Sequence, residues 1–349
     1  MIAWQKKRDL PPPAQKESES KDVFERLVQV GEGTYGKVYK AKNLETGVLV
    51  ALKQIRMEQE KDGFPVTASR EIKLLQSLRH PNVVSLLEIM VSKGHVYMVF
   101  EYVDHDLTGL LHHPAVRFTP ANLKSLMYQI LIGLDYIHSR RVLHRDLKGS
   151  NILLSKKGDV KIADFGLARF YQTGRKADYT NRVITQWYKP PELLFGETIY
   201  GAEVDMWSAG CIFLELWTRR AIFQGQDEIH QLTTIWEVMG TPSVETWPGL
   251  VQLPWYELIK PKAVLPNTLR EKYASQVPEA AMQVAERMLE FDPLKRLSAG
   301  EALNLDYFQR DEPRPQVPNM LSNLKGDWHE WEAKKARKKR KEEERAQHK

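Results

Sequence analysis

The sequence predicts an α+β fold in two lobes, a small antiparallel sheet followed by a mainly helical body. Two changes of rhythm predict it. Apolar alternation with interspersed glycines starts at Phe24 and runs through Leu27-Val28 to Val38 and Val48–Leu52, as in short half-buried strands. From Leu123 the period lengthens, and Met127, Ile130, Leu131, Leu134 and Ile137 fall on one helix face. The two regimes meet near residue 103.

In chain order, residues 1–22 are polar and carry Pro11-Pro12-Pro13, so they read as a disordered extension. Residues 23–103 make the first lobe. Within it Pro65 opens a helix with Ile72, Leu75 and Leu78 on its apolar face, and Val96–Phe100 is a strand. Residues 104–310 form the second lobe, entered through Asp104-His105-Asp106 and including the strongly apolar stretch Val204–Leu216. In the extension 311–349, Leu321, Leu324, Trp328 and Trp331 have offsets of 0, 3, 7 and 10, which predicts an amphipathic helix.

At 349 residues, with 42% hydrophobic and 28% charged residues, the composition is that of a water-soluble globular chain with a sizeable core. No apolar run approaches the roughly 18 residues of a membrane span, so no membrane partner is expected. The start Met1–Arg8 has no apolar stretch after its charges and is no secretory signal. A single cysteine, Cys211, excludes an internal disulfide and suits a reducing compartment. The net charge of +6 is concentrated in Lys334–Lys341, where seven of eight residues are basic. That run is either a nuclear import or nucleic-acid segment, or a solvated helix with Lys338–Glu342 and Arg340–Glu344 at i,i+4. The rest of the chain is near neutral, so nucleic acid is expected only at this tail.

Five motifs occur in fixed order. They are Gly31-Glu32-Gly33-Thr34-Tyr35-Gly36-Lys37-Val38, Val50-Ala51-Leu52-Lys53, His144-Arg145-Asp146-Leu147-Lys148-Gly149-Ser150-Asn151, Asp164-Phe165-Gly166 and Pro190-Pro191-Glu192. Glycines 31, 33 and 36 let backbone approach phosphates without Cβ clashes. A glycine loop of this kind also serves dinucleotide folds, but there a helix follows, whereas here Val38–Ala41 continues as strand. Lys53 would bind phosphate oxygens, held by Glu71 on the next helix. Asp146 is the candidate base, Lys148 would steady a γ-phosphate, and Asn151 and Asp164 are hard oxygen ligands suited to Mg²⁺. Each residue alone has an ordinary explanation as a turn, a cap or a surface pair. Jointly they match the template for phosphoryl transfer from ATP, that of the protein kinases.

On these motifs the chain resembles the cyclin-dependent kinases from about residue 23 to 310. The helix segment Pro65–Glu71 looks like their cyclin-binding signature, and Tyr179–Glu192 like their activation segment. Within the family, Gly63-Phe64-Pro65 and the His144–Asn151 loop are most similar to the catalytic alpha subunits of the kinases of the RNA polymerase II C-terminal domain (CTD). The elongation-factor-b type resembles the chain nearly as well in the helix and less well in the catalytic loop. The resemblance implies adenine contacts by Glu101 and Val103, with Phe100 behind the base and Asp106 facing the ribose. It implies an activating phosphosite at Thr180, with Arg70, Arg145 and Arg169 gathered on its phosphate. Glu192 is expected to pair with Arg296, and Asp205 to brace the catalytic loop. It further implies a cyclin of K or C type at Pro65–Glu71, a third CTD kinase subunit, CTD heptads as substrate and a nuclear location. The partner is expected to push the helix bearing Glu71 inward before Glu71 meets Lys53. The segment Asp327–Glu330 resembles a degenerate form of a C-terminal helix that packs near ATP in the CTD kinases.

Three positions depart from the family pattern: Ser69 on the cyclin-facing helix, Gln186, and Lys189 in place of an arginine near the proline pocket. None removes a catalytic group. The competing readings are a cell-cycle kinase and, from a different class, an inactive cyclin-binding scaffold. Thr34 and Tyr35 are also candidate inhibitory phosphosites.

Overall fold

The computed structural model describes residues 23–33, 36–57, 64–171, 178–332 and 334. The N-terminal extension, Thr34, Tyr35, Gly63 and the basic run beyond Lys334 lie outside the described residues.

The first lobe is an antiparallel sheet of β1 (Phe24–Gly33), β2 (Gly36–Asn43), β3 (Leu49–Gln54), β4 (Leu86–Ser92) and β5 (His95–Glu101), in the order β1-β2-β3-β5-β4. The strands alternate as the sequence predicts, so their register decides which residues face the second lobe. Val38 pairs with Lys53, and Ala51 with Phe100, which puts these four on one face. The opposite face forms a small core of its own, from Phe24, Ala41, Val50, Leu52, Tyr97 and Val99. Helix α1 (Val66–Ser77) buries Ile72, Leu74 and Leu75. It ends one residue before Leu78, which is buried all the same.

Beyond β5 come β6 (His105–Asp106), α2 (Leu107–His112) and the long α3 (Pro120–Ser139). Helix α3 starts on a capping box between Thr119 and Asn122 with Pro120 in its first turn, a well-determined N-terminus. The predicted face of Met127, Ile130, Leu131, Leu134 and Ile137 is fully buried. Short strands follow: β7 (Val142–Leu143), β8 (Ile152–Leu154), β9 (Val160–Ile162) and β10 (Arg169–Phe170). Pairings β6-β8-β9 and β7-β10 frame the loops 144–151 and 163–168 on both sides. After α4 (Pro191–Leu194), helix α5 (Glu203–Thr218) is buried continuously from Val204 to Leu216, which explains its nearly unbroken apolar sequence.

The predicted helix over Leu321–Trp331 does not form. A 3-10 turn spans Asn319–Asn323, Leu324 is extended, Gly326 has φ 76°, and helix resumes only at Glu330. The reason is a long-range pairing. Trp328 forms a parallel bridge with His105, its carbonyl accepting from Asp106 N–H at 3.0 Å. Its ring stands edge-on to His113, 4.1 Å between centroids. The apolar spacing had a surface to cover, but extended backbone covers it.

Candidate active site

A cleft of about 650 Å³ separates the lobes, and the predicted chemistry converges on it. Its roof is the β1–β2 hairpin, where Gly31 opposes Val38 and Gly33 opposes Gly36. Gly36 has φ 146°, and a Cβ there would sit 1.8 Å from Gln54 O, so the hairpin can fold over the cleft only with glycine at this position. Glu32 points outward to Arg56 at 3.1 Å. Ala51, Phe100, Glu101, Val103 and Asp106 line the cleft.

Lys53 Nζ lies 2.8 Å from Glu71 Oε1 and 2.9 Å from Asp164 Oδ1. Burial opposes its charge, but the Asp164 and Glu71 carboxylates outweigh that and hold its pKa above the usual lysine value. Burial raises the Glu71 carboxyl while Lys53 pulls it down. Asp164 is held low, the nearby Lys53 overcoming its own desolvation. The Lys53–Glu71 pair is thus closed in this structure. Packing of Ile72 and Leu75 carries α1 against the core and sets the depth of Glu71.

Asp146 is held from all sides. Its Oδ2 accepts from Lys148 Nζ at 2.8 Å and Asn151 Nδ2 at 3.2 Å, and its Oδ1 accepts the Thr185 hydroxyl at 2.7 Å. Thr185, which the motifs did not single out, also receives a bond from Lys148 at 3.2 Å. No short-range signal marks it, since it lies 39 residues from the aspartate. Beneath the loop, buried Asp205 accepts from the N–H groups of His144 and Arg145, both at 2.8 Å, and faces His138 Nε2 at 2.9 Å. Desolvation works against its charge, but His138 and these amides keep its pKa low, as the bracing role requires. Glu192 and Arg296 form the expected buried fork, at 2.7 and 3.0 Å.

Asn151 commits its amide nitrogen to the Asp146 carbonyl at 2.8 Å and to Oδ2, which leaves the amide oxygen to serve a metal, and both Asn151 and Asp164 line the cleft. Among the described residues no group of three or more His, Cys, Asp or Glu could hold a metal. Two protein ligands completed by substrate phosphates are what Mg²⁺ usually takes, so the residues fit that ion.

The C-terminal segment contributes a wall that the motifs did not predict in detail. His329, Glu330, Trp331 and Lys334 line the cleft. Asp327 bonds Lys40 on β2 and the Tyr102 hydroxyl, the latter at 2.9 Å, and so ties the C-terminal segment to the first lobe. Asp106 spends one carboxylate oxygen on Gly109 N–H at 2.7 Å and the other on Glu330 N–H at 2.6 Å. A ribose would meet a carboxylate already oriented by these two donors.

Around Thr180, Arg145 is buried and reaches the threonine through Tyr200. Arg169 Nη1 donates to Ala168 O at 2.9 Å, and Arg70 sits half-buried on α1.

Residues 24–308 match the protein kinase domain family. The chain belongs to that family. The kinase is 56% identical over 90% of its length to CTD kinase subunit alpha of Schizosaccharomyces pombe, and 51% identical over 91% to the Saccharomyces cerevisiae subunit of the same name. It spans 53% and 60% of those relatives' own lengths. It is also 44% identical over 86% of its length to cyclin-dependent kinase 9 of Danio rerio, covering 84% of that protein, which places it in the cyclin-dependent branch. A crystal structure of the yeast RNA Pol II CTD kinase CTDK-1 complex superposes with a TM-score of 0.80 at 46% identity. The match covers 91% of this kinase and 99% of that chain.

Proposed function

We propose that this kinase transfers the γ-phosphoryl group of ATP to serines followed by proline, in the heptad repeats of the RNA polymerase II CTD, and so promotes transcription elongation. The observation that carries the catalytic part is the grip on Asp146 by Lys148, Asn151 and Thr185, in the same cleft as the Lys53–Glu71–Asp164 cluster. Lys53 and the glycine hairpin would position phosphates, Glu101 and Val103 the adenine, and Asp106 the ribose. Asp146 would take the proton of the incoming hydroxyl. Asn151 and Asp164 would hold Mg²⁺, which neutralises phosphate charge when bound. Intact catalytic groups disfavour the scaffold reading, and the similarity to CTD kinase subunits disfavours the cell-cycle one.

The preference for proline is supported by Ile184. This β-branched residue has φ 67°, an unfavourable region held here by its N–H bonding Arg145 O at 3.0 Å. The chain bends at this left-handed residue, so the segment offers no strand edge to pair with the N–H of the residue after the target serine. Proline has no such N–H.

A cyclin is the proposed partner at Pro65–Glu71. Phe64 and Val66 at the start of α1, and Leu87, Ile89 and Val91 on the edge strand β4, are exposed apolar residues beside that segment. A K or C type cyclin, a third subunit, the phosphosite Thr180 with its three arginines, and a nuclear location rest on the similarity to CTD kinase subunits. The test is radiolabel transfer from ATP to paired heptad peptides carrying Ser-Pro or Ser-Ala, with the co-purifying cyclin present. Equal kcat/KM for the pair would remove the physical basis of the CTD reading.

A further inference from the structure

Arg145 is 1% exposed and has φ 66°. Burying a guanidinium demands acceptors for its donors. Its Nε donates to Leu167 O at 2.8 Å, directly after Asp164-Phe165-Gly166, and its Nη1 donates to the Tyr200 hydroxyl at 3.0 Å. Among the described residues no carboxylate pairs with this guanidinium. Its backbone carbonyl holds Ile184 N–H. Whatever steadies Arg145 therefore steadies both the metal-ligand segment and the segment read as the proline pocket.

Tyr200 lies just ahead of α5, 7% exposed, its ring 5.3 Å from that of Tyr179. Its hydroxyl proton goes to Thr180 O at 2.7 Å while its oxygen accepts from Arg145. Burial raises its pKa against the pull of Arg145, so it stays a neutral phenol. The Thr180 backbone is pinned, but its side chain is exposed, the hydroxyl accepting from Arg182 N–H at 3.2 Å.

We propose that Tyr200 is a positioning residue: its hydroxyl occupies Arg145 while Thr180 is unmodified, holding the catalytic geometry in place of a phosphate. This rests on the reading of Thr180 as the phosphosite. A phosphate would give Arg145 a charged acceptor, a bond roughly twice as strong as one to a neutral hydroxyl, and would make the phenol dispensable. Tyr200 thus sets the activity of the unphosphorylated enzyme, and presents Thr180 outward to a modifying kinase.

The experiment uses Tyr200→Phe, which keeps the ring packing, in the full chain with its co-purifying cyclin. Turnover of a Ser-Pro peptide is measured with Thr180 unmodified and with Thr180 fully phosphorylated, both verified by mass. The expected result is a loss of roughly tenfold in kcat/KM for the unmodified form and less than about twofold for the phosphorylated form. A wild type activated by phosphate, with the variant equally impaired in both forms, overturns the proposal alone, because a purely structural role is blind to the phosphate. A variant unimpaired in both forms overturns it too. A wild type indifferent to phosphorylation overturns the phosphosite reading and this proposal with it.

Discussion

Lys53 Nζ lies 2.8 Å from Glu71 Oε1, bridging β3 and α1 with Glu71 only 3% exposed. The pair is the joint between sheet and helix, and Glu71→Gln should remove the Glu71 charge from Lys53 while the pairing with Asp164 remains. Removing one partner of a buried pair costs about 3–5 kcal/mol when the charge left behind is unpaired. Because Asp164 remains here, a smaller effect is expected on stability and a loss of at least about tenfold on kcat/KM. Urea denaturation and peptide phosphorylation, run side by side, would separate the two effects.

Asp146→Asn should preserve the fold and nucleotide binding while lowering kcat by about 10²–10⁴, the usual worth of a positioned base. The amide oxygen can keep the bonds from Lys148 and Asn151, and the amide nitrogen can donate to the Thr185 hydroxyl oxygen, so the structural cost is confined to the lost bond from Thr185 N–H. Turnover close to wild type would remove Asp146 from the role of base.

Lys189 is 5% exposed, and its Nζ meets Glu228 Oε1 at 2.5 Å, so a point charge stands where a planar fork is usual. Nearby, Gln186 donates to Gly225 O at 2.6 Å, a second polar tie below the proline segment. Lys189→Arg should sharpen the Ser-Pro over Ser-Ala ratio. The ceiling is set by an unmet N–H, worth about 1–3 kcal/mol or a factor of roughly 5 to 150. An unchanged ratio would detach Lys189 from specificity.

Gly109→Ala tests the C-terminal wall. Alanine is worth up to about 1 kcal/mol over glycine inside a helix. At this site, however, a Cβ would fall 2.4 Å from Trp328 O, a backbone atom that must move. The steric term should win locally, displacing the segment that carries Glu330 and raising KM for ATP by roughly threefold or more with kcat nearly unchanged. An unchanged KM would show the wall to be idle in nucleotide binding.

Glu215 is buried on α5 and accepts the Tyr188 hydroxyl at 2.7 Å. Burial pushes its carboxyl up to about 7 from an ordinary 4.5. Between these values the folded chain keeps a proton that the unfolded chain releases, so this residue's contribution to stability falls as pH rises from about 4.5 to about 7. Above that window it is a constant penalty of at most about 3 kcal/mol. Glu215→Gln should therefore gain stability relative to wild type at pH 8 and not at pH 4.5. Parallel melting curves of the two proteins across that range would reveal an absent offset.

The residue order by itself determined the chemistry. A phosphate-covering hairpin needs Gly31, Gly33 and Gly36 at fixed spacing. The proposed base, lysine and amide ligand must leave one short loop as Asp146, Lys148 and Asn151. Such requirements act within a few residues and are legible as motifs, just as helix and strand periods are. Contacts spanning the chain were decided by the tertiary structure alone. Trp328 was spaced for a helix, yet pairs with His105 along β6, where its carbonyl takes the Asp106 N–H and its N–H the Asp104 carbonyl, partners that no local pattern reveals. Glu71 meets Lys53 at a depth that the packing of α1 sets, a quantity no local pattern encodes. Thr185 and Tyr200 reached Asp146 and Arg145 across 39 and 55 residues, distances over which only the folded core brings side chains together.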